Sequence, residues 1–173
     1  MPAISSKSSK FVLIFVLAAL VQFAFLLAPW VRPLVDLFSR GMVIASAFSI
    51  NVINGHAIAR GTILRSSVNG FGIELKDGCN GVNVMILLWS AMLAFPGSLA
   101  WKLTGLLAGA FAIEGLNFLR FISLFYLGQY NLSWFEFAHL YLWETLIMLD
   151  ALVVLGFWVR HAPPGSENAH ARS

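Results

Sequence analysis

Long apolar runs broken by short polar segments dominate the chain, and their lengths predict membrane-spanning helices. Phe11 to Val31 has Gln22 as its one strongly polar interruption, and it is long enough for the roughly 30 Å hydrocarbon core of a bilayer. Cys79 to Phe95 supplies about 17 residues, roughly 25 Å of helix, and Pro96-Gly97 ends it. A longer run from Ser98 to Leu127 is polar at Lys102, Thr104, Glu114, Asn117, Arg120 and Ser123. Gly128 to Ser133 then reads as a loop, and Trp134 to Val159 as the last span.

Two segments break this pattern. Leu34 to Asn54 is apolar but seeded with Asp36, Arg40, Ser46, Ser49 and Asn51. It either crosses the bilayer or lies in its interface, and the interfacial placement is preferred. From Ile58 to Lys76 the period changes to two, with Phe71, Ile73 and Leu75 alternating with Gly72, Glu74 and Lys76. The turn chemistry of Ser66-Ser67-Val68-Asn69-Gly70 makes this a short hairpin outside the bilayer, ending at Asp77-Gly78. The expected fold is mainly α: a polytopic membrane protein with about four transmembrane helices and a small extracytoplasmic hairpin between the first and second.

Composition agrees, since 59% hydrophobic and 11% charged residues fall outside the range of a water-soluble domain. The eleven Lys and Arg are scattered without aromatic interleaving, which argues against nucleic acid as a partner. Cys79 is the single cysteine, so an internal disulfide, a dithiol relay and a multi-thiolate zinc site are excluded; the chain calls for no metal or organic cofactor. Lys7 and Lys10 precede the first apolar run as in a signal peptide, but the run is too long for one and reads as a retained anchor. Residues 1–160 form one membrane-embedded domain. Residues 161–173, with Pro163-Pro164-Gly165, form a disordered cytoplasmic tail.

Four spans place both termini on one side with Pro96-Gly97. Lys7, Lys10, Lys102, Arg160 and Arg172 lie there, against Arg32, Arg40, Arg60, Arg65 and Lys76 opposite, so loop charge breaks no tie. The lysines ahead of the first helix favour a cytoplasmic N-terminus, in the inner membrane of a bacterium.

Helix rise then brings reactive side chains to one depth. Cys79 opens its helix at the outer face, and Arg120 lies roughly 33 Å up the returning helix, one bilayer thickness away from Ser98. His139, about a turn into the last span, reaches the same level. As a first-turn residue Cys79 faces the positive end of the helix dipole, a setting that suits a nucleophile. Asn117 shares a helix face with Arg120, and the pair must point into the bundle. His139 is suited to proton transfer near neutral pH, and Glu136, three residues earlier, is placed to orient its ring. Glu114 and Glu144 are candidate partners for Arg120 or for interhelical hydrogen bonds. With Asp150 they also support a rival reading as a proton-coupled carrier.

Cys79-Asn80-Gly81 at a helix start, Asn117-Phe118-Leu119-Arg120 late in the next span and His139 beyond it resemble the exosortase/archaeosortase family, whose motifs are Cys-x-Gly, Asn-x-x-Arg and one downstream His. The likeness covers about residues 55 to 145, and the short chain with its Cys-Asn-Gly-Val-Asn run is most similar to the exosortase H branch. Asn80 stands where the family more often carries Ser, so only its backbone N–H is considered for oxyanion binding.

The resemblance implies Cys79, Arg120 and His139 as the catalytic set, with Asn117 and Gly81 supporting; Glu136 is added from its spacing to His139. It implies as substrate a secreted protein with a C-terminal sorting signal: a short motif, a transmembrane helix and a basic tail. Transfer to a glycan or lipid acceptor makes a transpeptidase and transfer to water a protease, and both stay open. Gly105, Ala108, Gly109 and Ala112 are expected to offer the substrate helix a close-approach face. The non-enzymatic alternatives are the carrier and a structural membrane subunit.

Overall fold

The computed structural model describes residues 6–53 and 55–162; the expected tail from residue 163 onward lies outside them. Helix α1 (Ser6–Leu26) leads through a tight turn into α2 (Arg32–Val52). Three short strands follow, β1 (Ala57–Arg60), β2 (Ile63–Ser66) and β3 (Gly72–Glu74). The chain then forms α3 (Val82–Ala94), α4 (Leu99–Tyr130), α5 (Leu132–Phe137), a π-helical turn (Ala138–Leu142) and α6 (Trp143–Arg160).

Apolar residues cover most outer faces of these helices, as a lipid-facing bundle requires. Inside it, polar groups are paired between helices. Gln22 of α1 donates to Ser90 of α3 at 2.8 Å, and Ser90 donates to Ile86 within its own helix at 2.7 Å. Small residues of α4 admit large ones from its neighbours: Trp158 of α6 lies over Gly105, and Leu88 of α3 over Gly109. Trp158 also stacks on Trp101 with ring centroids 3.7 Å apart, closing a core of Leu88, Met92, Ile113 and Trp158. Gly105 and Gly109 are therefore filled from within the bundle, which corrects their expected use as a face for a substrate helix.

A second core occupies the other half of α4. Met42, Val43, Ala47 and Ile50 of α2 pack with Phe121, Leu124 and Phe125 of α4 and with Ala57, Leu64, Ile73 and Leu75 of the sheet. The strands are antiparallel in the order β1-β2-β3. The expected hairpin is thus a three-stranded sheet, because Gly61, at φ +61°, turns the chain inside what the alternation alone reads as one strand. Asn51 of α2 closes the outer edge of β1, accepting from Ala57 N–H and donating to Ala57 C=O, both at 2.9 Å.

Element boundaries differ from expectation at several points. Helix α3 starts at Val82 and has 13 residues, about 20 Å, so Cys79 lies ahead of it rather than in its first turn. The loop expected from Gly128 to Ser133 shrinks to Asn131, whose side chain accepts from Trp134 N–H at 3.1 Å and starts α5 at once. The four helical segments long and apolar enough to cross a bilayer are α1, α2, α4 and the continuous run 132–160. Length and apolarity alone thus admit α2 and leave out the shorter α3.

The start of α3 depends on Gly81, which has φ +79° and no side-chain cap. A Cβ built there would lie 2.7 Å from Glu114 Oε1, a clash added to the roughly 1–2 kcal/mol cost of a left-handed side-chain-bearing residue. Gly61→Ala carries the same backbone cost with nothing within 4 Å. Gly81→Ala is therefore expected to lower the melting temperature in detergent well below that of Gly61→Ala. Equal melting points would show that the α3 start tolerates a side chain.

Candidate active site

Cys79 sits in the turn that carries the chain from the sheet into α3. Its N–H donates to Lys76 C=O at 2.9 Å. Asn80, 2% exposed, holds the next step: its side-chain oxygen accepts from Val82 N–H at 3.3 Å and its amide donates to Ser39 at 3.4 Å. The Asn80 side chain thus braces the turn, with both ends of its amide occupied. Gly81 then brings this turn against Glu114 and Asn117 of α4.

Arg120 and Asn117 lie one turn apart on the inner face of α4, and both are buried, at 5% and 0% exposure. Asn117 donates toward Met42 Sδ at 3.6 Å, while its Oδ1 has no partner among the described residues. Arg120 Nη2 lies 4.0 Å from Cys79 Sγ. The ion pair found among the described residues joins Arg40 to Asp36 on α2, so neither Glu114 nor Glu144 neutralises Arg120 as expected. Both Glu114 carboxylate oxygens are buried without a hydrogen-bond partner.

His139 comes from the π-helical turn after α5, and its Nε2 lies 3.8 Å from Cys79 Sγ. Such widened turns re-aim side chains within a helix and recur at functional sites. The ring stacks on Phe135, with centroids 5.7 Å apart and planes 14° apart. Glu136 points to solvent and makes no hydrogen bond to His139 among the described residues, so the expected orienting role passes to Phe135. The i to i+4 spacing of Phe135 and His139 was the signal for this in the sequence.

Cys79, Asn117, Arg120 and His139 therefore share one groove of about 460 Å³, walled by residues 71–76 on one side and by Leu132 and Phe135 on the other. The sulfur stands between an imidazole that can take its proton and a guanidinium that can donate to a developing oxyanion. Groups so placed can in principle support acyl transfer through a thioester. Glu114 lies against Gly81 but does not line the groove, and Asp150 lies apart on α6. Among the described residues no group of three His, Cys, Asp or Glu is placed to hold a metal ion.

Comparisons with family models, with curated proteins and with solved structures give no match for this chain.

Proposed function

We propose that the chain is a membrane-embedded cysteine transpeptidase or protease of the exosortase type, acting on secreted proteins that carry a C-terminal sorting signal. One observation carries this reading: a buried guanidinium without a carboxylate has the single cysteine's sulfur as its side-chain neighbour, and the same sulfur meets an imidazole. An unneutralised buried charge is costly, and an anion formed only during reaction offsets that cost when it is most useful.

In the proposed reaction His139 takes the Cys79 proton as the sulfur bonds to the scissile carbonyl carbon. Arg120 donates to the oxyanion. The tetrahedral intermediate collapses as the carbon–nitrogen bond breaks and His139 returns the proton to the departing amine, which leaves with the transmembrane part of the signal. An acceptor nucleophile or water then attacks the thioester, gives its proton to His139 and releases Cys79 as the thiol.

In the proposed topology α1, α3, α4 and the 132–160 run cross the inner membrane, with the N-terminus cytoplasmic. Helix α2 and the sheet then cover the outer half of α4. The packing of α2 along Asn117 to Phe125 supports this placement, since it sets α2 beside the site rather than beside the inner core. A scissile bond just outside a substrate's transmembrane helix would meet Cys79 at that face. The buried, unpartnered oxygens of Glu114 and Asp150 support a second reading, a proton-coupled carrier.

Cys79→Ala and Cys79→Ser are expected to insert normally and to abolish processing of a tagged sorting-signal protein, followed by the size shift of the tag. Full processing in both would remove the nucleophile. Arg120→Lys keeps the charge but loses the planar donor fork, and a loss of about 10²-fold or more is expected; His139→Ala is expected to fall by about 10²–10⁴-fold. Glu114→Gln separates the readings: substantial processing supports the transpeptidase, whereas transport lost in Glu114→Gln but kept in Cys79→Ala supports the carrier.

Topology is checked with single cysteines in the Cys79→Ala chain. An impermeant maleimide is expected to label Ser67→Cys and Ser133→Cys in intact cells, and Ser98→Cys only after lysis. The reverse pattern would put the groove on the cytoplasmic side and end the secreted-substrate mechanism.

A further inference from the structure

The two edges of the small sheet are treated differently. In the β2–β3 ladder, Ser66 N–H donates to Phe71 C=O and Leu75 N–H to Thr62 C=O, both at 2.8 Å. The register pairs Leu64 with Ile73 between them. Antiparallel pairing alternates, so the backbone groups of Phe71, Ile73 and Leu75 face β2 while those of Gly72 and Glu74 face away. Among the described residues, these two N–H and two C=O groups have no hydrogen-bond partner. On β1, by contrast, the outward groups of Ala57 are both taken by Asn51.

Unpaired strand edges template pairing, and folded chains ordinarily blunt or cover them. Here the β1 edge is closed at Ala57 by a side chain and left open at Ala59, whereas the β3 edge lines the groove that holds Cys79, Arg120 and His139. Gly72 carries no side chain at its position on that edge, which leaves room for the close approach of another backbone.

We propose that the free edge of β3 binds the substrate by β-augmentation: an extended polypeptide segment pairs with Gly72 and Glu74 as a fourth strand, which delivers its carbonyl to Cys79. This rests on the transpeptidase reading. The paired residues are those preceding the scissile bond, because the residues after it lead into the substrate's transmembrane helix, whereas the sheet packs against the half of α4 beyond Arg120. Main-chain pairing holds the segment whatever its side chains, and selection falls to alternate residues facing the groove wall at Phe135 and Leu132.

The edge can be tested without touching the catalytic groups. Glu74→Pro removes an N–H that faces the groove and none that pairs with β2, a position at which an edge strand tolerates proline. Processing of the tagged sorting-signal protein is expected to fall by about ten-fold or more, the scale of one to two lost hydrogen bonds. The rate of Cys79 alkylation by iodoacetamide is expected to stay within about two-fold of wild type, the additive scatter of an undisturbed site. Glu74→Ala, which keeps the N–H, is expected to lose much less, and Ala59→Pro on the opposite edge is expected to process normally.

In the Cys79→Ala chain, a photo-crosslinking benzoylphenylalanine at position 74 is expected to capture the tagged protein through residues just before its transmembrane helix. The same probe at position 59 is expected to capture none. Processing by Glu74→Pro equal to that by Glu74→Ala, or a crosslink from position 74 to a second copy of this chain, would overturn the edge proposal while wild-type processing kept the transpeptidase reading intact. A wild-type chain that processes nothing would instead refute the underlying reading.

Discussion

Arg120 is buried and forms no ion pair with a carboxylate among the described residues. A guanidinium so placed attracts whatever negative charge the site can form, and in a low-dielectric interior that attraction is strong. The groove offers the Cys79 sulfur and, in the proposed acyl transfer, a carbonyl oxygen. Asn117, one turn earlier on α4, continues the same polar stripe, and Met42 of α2 covers it. The half of the bundle that holds the groove is thus built around keeping one cation desolvated but reachable.

The opposite half does a different job. There Gly105 and Gly109 bring α3 and α6 into close contact with α4, and Trp101 and Trp158 stack where the chain turns. Lys102 donates to Leu93 C=O at 2.7 Å across that turn, satisfying a helix-end carbonyl that lipid could not. Close packing in this half fixes how α3 leaves α4. The turn at Cys79 therefore has a fixed height and sits against Glu114 and Asn117 through Gly81.

Between the two halves the sheet supplies the groove's other wall. Its apolar face, with Leu64, Ile73 and Leu75, is held by α2 and α4. Its lateral edge lines the same groove as the Cys79 sulfur, so one short element both anchors the Cys79 turn and lines the approach to it. This economy follows from chain order, since β3 runs directly into the turn.

Much of this was legible in the residues alone. Apolar runs of bilayer length give the helices because lipid leaves backbone groups no partner outside their own segment. Helix rise brought Cys79, Arg120 and His139 to one depth because depth is a one-dimensional quantity that residue counts measure. Azimuth is not. Whether His139 meets the sulfur depends on a π-helical turn, and its neighbour proved to be Phe135 rather than Glu136 because burial, not spacing, decides which side of a helix is inside. Length and apolarity admitted α2, though less strongly than α1, and its packing on the sheet and on Asn117 to Phe125 was not readable from its own residues. The Asn51 clasp on Ala57, the filling of Gly105 by Trp158 and the open edge of β3 join residues distant in sequence or in orientation. Local pattern carries no information about such meetings, so the tertiary structure alone decided them.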